Sequence, residues 1–181
     1  MSKVRVAVVG CGSVSRSYVP HLKQSPHVEL VAVCDALVER ARTHAETHGI
    51  EHYFGDIDRM LAEVDFDLLV NLTSMPFHAP FNRKALEAGK NVWCEKPIAT
   101  DLGEAHELLK LARQRGVGLW GAPNSPTSPA FRHMAEILSS GAIGRVHVAH
   151  GIYGWSGPEW SGTEWYYKKG GGSLFDLGVY N

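Results

Sequence analysis

The first two thirds of the chain alternate short apolar runs with stretches in which apolar residues return every three or four positions. The run Val4-Arg5-Val6-Ala7-Val8-Val9 is β-branched, ends at Gly10 and reads as a buried strand. Runs at 28–34, 67–73, 91–94 and 117–122 read the same way. Between them, helical spacing predicts a helix from about Val14 and another over 37–48, with Leu37, Ala41 and Ala45 on one face and Gly49 as its stop. A weaker unit lies at 51–63, and a helix with Pro80 in its first turn ends at Gly89. Asp101-Leu102-Gly103-Glu104 resembles a capping box, followed by Ala105, Leu108, Leu109 and Ala112 on one face and a stop at Gly116. Pro20 falls inside the first helix and is expected to kink or shorten it. Strands alternating with helices imply an α/β fold, a doubly wound parallel sheet covered on both faces.

Three prolines between 123 and 129 break this rhythm and set a boundary, with 1–122 as one domain and 123–181 as the start of a second. The second opens with a helix at 131–139 and an alternating strand at 145–153, then becomes aromatic and glycine-rich.

Composition narrows the class. Hydrophobic residues make up 44% and charged residues 20%, as in an ordinary globular protein. A net charge of −1 provides no footprint for nucleic acid or an anionic membrane. Cys11, Cys34 and Cys94 form no CxxC pair, which points to a reduced, cytoplasmic setting. No apolar stretch is long enough for a signal-peptide core or a membrane span. His44 and His48 share a helix face but lack a third ligand, so no metal is expected. Cys94 has no base partner nearby in sequence and reads as a small buried residue.

The chemistry lies where strands end. Gly10-Cys11-Gly12-Ser13-Val14-Ser15 follows a strand and opens a helix, so its backbone could cradle the pyrophosphate of a dinucleotide at the helix N-terminus. Ser15 replaces the third glycine of that fingerprint and is small enough for close helix–strand packing. A purely structural turn is the alternative. Asp35, at the end of the second strand, supports the dinucleotide reading, because a carboxylate there accepts from ribose hydroxyls and repels a 2′-phosphate. NAD is therefore favoured over NADP. Arg40, one helical turn on, either turns toward a phosphate or is solvated.

Glu95-Lys96-Pro97 ends another strand. Lys96 is either a proton-transfer group facing a cofactor or a surface lysine paired with Glu95. His78 either contacts a ribose or substrate or caps the helix beside it. Trp155, Trp160, Trp165, Tyr166 and Tyr167 either stack on a sugar or form the core of the second domain.

These residues carry a resemblance along essentially the whole chain. The glycine turn, the segment from Thr73 to His78, Ala88-Gly89-Lys90 leading into Glu95-Lys96-Pro97, Gly141-Ala142-Ile143-Gly144 and the run from Gly170 to Asp176 resemble the Gfo/Idh/MocA oxidoreductases in order and spacing. The resemblance implies a Rossmann domain followed by an α/β domain with a mostly antiparallel sheet. It implies that Gly10, Gly12, Ser13, Val14, Asp35, Thr73, His78, Glu95, Lys96 and Asn124 line the cofactor site, with Trp165 and Tyr166 near the nicotinamide. Lys96 and Asp176 would carry substrate chemistry on a sugar, polyol or cyclitol.

Two departures stand out. Ser74 occupies the place where the family usually has proline, and Tyr180 the place of a common histidine. A tyrosine with an ordinary pKa of about 10 serves better as an acid than as a base, which leans the expectation toward carbonyl reduction. Family members are longer than these 181 residues, so the chain corresponds to their N-terminal half and a homo-oligomer is expected of the full-length form. Two alternatives remain: an NAD-dependent glycoside hydrolase of the same family, or a dinucleotide-binding module without catalysis.

Overall fold

In the computed structural model, residues 2–122, 128–152, 164–168, 171–173 and 178 are described, and the chain divides into two units, Met1–Gly121 and Ala122–Asn181. The first unit is built on six parallel strands, β1 (Val4–Val9), β2 (Val28–Cys34), β3 (His52–Phe54), β4 (Leu68–Asn71), β5 (Asn91–Cys94) and β6 (Leu119–Gly121). Their order in the sheet is β3-β2-β1-β4-β5-β6. The chain leaves β1 for β2 on one side and returns to pair β4 on the other, with Val6 opposite both Leu30 and Leu68. This reversal is the topological switch point of a Rossmann-type sheet, where a crevice opens at the carboxyl ends of the strands.

The alternation of side chains along β1 explains why it is apolar on both faces from Val6 to Val9. Ala7 and Val9 face one core with Ile57, Met60, Leu86, Leu108 and Ala112, whereas Val6 and Val8 face another with Val19, Ala41 and Ala45. Helices α1 (Ser15–Gln24) and α2 (Val38–His48) cover the second side, and α3 (Ile57–Glu63), α4 (His78–Glu87) and α5 (Leu102–Arg115) cover the first. A strand buried on both faces has no polar side to spare.

Local signals set the helix ends. Asp101 accepts from the Glu104 amide at 2.9 Å and Asp56 from the Arg59 amide at 3.0 Å, N-caps of about 1 kcal/mol each. Gly49 and Gly116 close α2 and α5 in the left-handed conformation. Helix α1 runs through Pro20 to Gln24, so the proline does not end it. Its loss of a single backbone donor is offset by the packing of Val19, which is fully buried.

In the second unit, α6 (Pro129–Ser139) is capped by Ser128 and exposes Phe131, Met134 and Leu138. The strand expected at 145–153 does not form over 145–152. Alternation alone is insufficient: among the described residues no neighbouring strand pairs with this stretch, and Val146, Val148 and Ile152 are exposed. No helix among the described residues is long and apolar enough to cross a membrane.

Candidate active site

The glycine turn joins β1 to α1 directly above the switch point. Gly10 has φ +94°, and a Cβ there would lie 2.6 Å from the Leu72 carbonyl carbon and 2.7 Å from the Thr73 nitrogen. The first glycine is thus required by close approach to the exit of β4. Gly12 is different: a Cβ there would meet nothing within 4 Å. That open space is the room a pyrophosphate needs, and Ser13 and Val14 are exposed beside it at the N-terminus of α1, where backbone N–H groups and the helix dipole favour an anion. Ser15 is fully buried and donates to the Gly12 carbonyl at 2.7 Å, which explains why a small hydroxyl residue is tolerated as the third member. It also lies 3.3 Å from His44 Nε2. Having given its proton to Gly12, the hydroxyl accepts from the imidazole. Burial, reinforced by the positive groups around it, holds the His44 pKa below its ordinary value.

Asp35 ends β2 beside this turn. Its Oδ2 accepts from the Cys11 amide at 2.9 Å and its Oδ1 from the Leu37 amide at 2.9 Å. The carboxylate therefore ties the glycine turn to the start of α2 while keeping further lone pairs for a ribose. Arg40 Nη1 lies 3.6 Å from Oδ2, so Arg40 faces Asp35 as a half-exposed ion pair. The thiols of Cys11 and Cys34 beside it are pushed up to about 12 by burial, and that of Cys94 likewise, so all three are protonated and inert at neutral pH.

The exits of β4 and β5 form the other half of the site. Thr73 follows β4, half-buried, with its hydroxyl donating to Asn71 Oδ1 at 2.7 Å. Ser74 holds φ −76° and ψ 152°, angles a proline would also adopt, so the backbone keeps its course without one. At β5, Glu95 and Lys96 are half-buried and the Lys96–Pro97 peptide is cis. Tyr18 of α1 donates to Glu95 Oε1 at 2.6 Å, and Glu95 Oε2 accepts the Lys96 amide at 3.1 Å. Both carboxylate oxygens are held, one by the helix under the pyrophosphate turn and one by the lysine's own backbone.

His78 is placed beneath this surface rather than on it. It is 1% exposed, with Nδ1 2.6 Å from the Pro97 carbonyl and Nε2 2.8 Å from the Thr73 carbonyl. It does not cap α4; its two ring nitrogens face two loop carbonyls, and the neutral imidazole donates to one of them. Burial lowers its pKa against the pull of those carbonyls and Glu95. The structure thus brings together Gly10, Gly12, Ser13, Val14, Asp35, Thr73, Glu95 and Lys96 at one end of the sheet. Asn124, Asp176 and Tyr180 lie outside the described residues, as does the side chain of Trp165; Tyr166 is buried in the second unit, edge-on to Tyr167. No cluster of metal-binding side chains occurs among the described residues.

Sequence reasoning passed over Tyr18, Asn71 and Asn82. Asn71 and Asn82 are fully buried, and a polar residue at the end of an apolar strand is the signal that marked the first of them.

Comparison with known proteins agrees with this geometry. Residues 4–122 match the model of the oxidoreductase family with an NAD-binding Rossmann fold (Gfo/Idh/MocA), and residues 131–181 match the Gfo/Idh/MocA C-terminal domain. The chain belongs to the Gfo/Idh/MocA oxidoreductase family. It is 33% identical over 180 residues to dTDP-3,4-didehydro-2,6-dideoxy-alpha-D-glucose 3-reductase of Streptomyces violaceoruber, covering 98% of this chain and 52% of that protein. It is 32% identical over 176 residues to trans-1,2-dihydrobenzene-1,2-diol dehydrogenase of Oryctolagus cuniculus, covering 96% and 53%. Among solved structures, the WlbA dehydrogenase from Bordetella pertussis in complex with NADH and UDP-GlcNAcA superposes with a TM-score of 0.75 at 26% identity, covering 79% of this chain and 44% of that one. The chain spans about half the length of the curated relatives it matches.

Proposed function

We propose that this chain is the cofactor-binding part of an NAD-dependent oxidoreductase that moves a hydride between the nicotinamide and a hydroxyl or carbonyl carbon of a sugar, polyol or cyclitol. The observation that carries the reading is the convergence of the open Gly12 turn, Asp35 and the Glu95-Lys96-Pro97 turn at the carboxyl ends of β1, β2 and β5.

The strand order supports the following division of parts. Asp35 accepts from the adenosine ribose at the β2 end, and the backbone from Gly10 to Val14 holds the pyrophosphate over the switch point. At the exits of β4 and β5, Thr73 and Glu95 would hold the nicotinamide ribose. NAD supplies the hydride acceptor. Lys96 hydrogen-bonds the reacting oxygen and takes its proton as the carbonyl forms, or returns one in reduction. Asp176 and Tyr180 complete the proton path, and Asn124, Trp165 and Tyr166 line the nicotinamide side. His78 supports this surface from below.

The substrate class is supported by relatives named for a dideoxysugar nucleotide and a dihydrodiol, and by a neighbour holding NADH with a nucleotide sugar. The same reading makes 123–181 the beginning of an α/β domain whose mostly antiparallel sheet covers the nicotinamide and joins copies into a homo-oligomer. Three buried reduced cysteines suit a cytoplasmic enzyme.

Fluorescence titration with NADH, with NADPH as competitor, tests the cofactor. Absorbance turnover of NAD with a panel of polyols and sugars in the full-length protein tests the reaction. Saturable NADH binding and turnover abolished by Lys96→Met are expected; turnover retained in Lys96→Met removes the lysine from the chemistry.

A further inference from the structure

Three polar side chains sit inside the apolar core at the carboxyl ends of β4 and β5. Asn71 and Asn82 are fully buried and His78 is 1% exposed. A buried polar group is costly unless bonded, so the partners of these three explain their placement.

Most of the partners are backbone atoms, chiefly of the two strand exits. Asn71 Oδ1 accepts from the Thr73 amide at 3.2 Å and its hydroxyl at 2.7 Å. Asn71 Nδ2 donates to the His78 carbonyl at 3.1 Å and to Asn82 Oδ1 at 2.9 Å. Asn82 Nδ2 donates to the Ile98 carbonyl at 3.1 Å, and the His78 ring lies between the Thr73 and Pro97 carbonyls, its neutral form donating to one of them. The ladder between β4 and β5 ends with the Glu95 amide on the Asn71 carbonyl. Beyond that bond, among the described residues, no backbone–backbone bond joins the Thr73 loop to the Lys96 turn. Among the described residues, side chains make the hydrogen bonds that tie the two together beyond it.

We propose that Asn82 and His78, linked through Asn71, are positioning residues that fix the Lys96 turn against the Thr73 loop. Both lie on one helix, α4, so a single element sets the spacing between two walls. The inference rests on the reading that these walls face the nicotinamide half of the cofactor. It follows that the network governs affinity for the nicotinamide half and leaves the adenosine and pyrophosphate half, held by Asp35 and the glycine turn, untouched.

The test compares NADH with ADP, which lacks the nicotinamide and its ribose, on the wild-type chain and on Asn82→Leu and His78→Phe. Binding is read by titration well below the melting temperature of each variant. Wild type is expected to bind NADH more tightly than ADP. Each variant should reduce that ratio about fivefold to tenfold, the worth of one or two hydrogen bonds, with ADP affinity unchanged within twofold. An unchanged ratio in both variants, equal losses for both ligands, or a wild-type ratio of one overturns the proposal. Wild type that binds neither ligand overturns the cofactor reading itself. Where Asn82→Leu fails to fold, Asn82→Asp, which keeps the acceptor for Asn71 and loses the donor to Ile98, decides by the same ratio.

Discussion

The hydroxyl of Tyr18 donates to Glu95 Oε1 at 2.6 Å across 77 residues of sequence. The bond joins the helix that begins at the pyrophosphate turn to the turn that carries Lys96, so the two ends of the candidate cofactor site share one hydrogen bond. Tyr18→Phe keeps the ring and removes the donor. NADH affinity should fall about threefold to tenfold, with a stability loss near 1 kcal/mol, read by titration and denaturant unfolding. Wild-type affinity would dissociate Glu95 from the cofactor.

Asp35 holds the Cys11 and Leu37 amides as well as facing Arg40. Asp35→Ala should weaken NADH binding roughly 10- to 100-fold, the worth of hydrogen bonds to a charged group. NADPH should lose less, since the variant removes the repulsion of its 2′-phosphate and releases Arg40. Competition titrations check this, and equal losses for the two cofactors would refute the assignment of Asp35 to the ribose.

Gly10 combines φ +94° with backbone at 2.6 Å from any added Cβ. Gly10→Ala must strain the left-handed conformation and displace the exit of β4, a destabilisation of about 2–4 kcal/mol. Gly12→Ala meets open space, so it should leave stability within about 0.5 kcal/mol and act instead on cofactor affinity. Denaturant midpoints of the two variants, set beside their NADH titrations, separate the roles.

Acid should destabilise the domain through two histidines. Burial lowers the pKa of both His78 and His44 in the fold, whereas the unfolded chain titrates near 6.5. Below that pH the unfolded chain binds the extra protons, so the contribution is full above about 6.5 and is lost as pH falls toward the folded values. For the deeply buried His78 the slope approaches about 1.4 kcal/mol per pH unit. Unfolding midpoints between pH 7.5 and 5 should decline, and less so in His44→Gln; a decline of the same size in that variant would clear His44.

The parallel sheet was legible because a strand segment buried on both faces must be apolar at every position, and β1 from Val6 and β2 from Leu30 are. Helix ends were legible because Asp101, Gly49 and Gly116 act on backbone within their own turn. The stretch 145–152 was not, since pairing depends on a neighbour that alternation does not reveal. The tightness of Gly10 against Leu72 and Thr73 was not legible, because that strand exit lies some sixty residues along the chain. Asn71, Asn82 and the true setting of His78 escaped notice because their partners are mostly main-chain carbonyls and amides, which leave no compositional trace. Tyr18 escaped for a related reason, a partner 77 residues away.

The switch point also sets an order of assembly. β1 is made well before β4, so one of its edges stays open until β4, whose Leu68 pairs with Val6, has left the ribosome. β2 can close the other edge early, across a much shorter loop. Throughout that interval a run of valines offers unsatisfied main-chain groups to any other chain that meets it, a template for mispairing. The arrangement that opens a crevice for a ligand therefore makes the nascent protein depend on how quickly its fourth strand arrives.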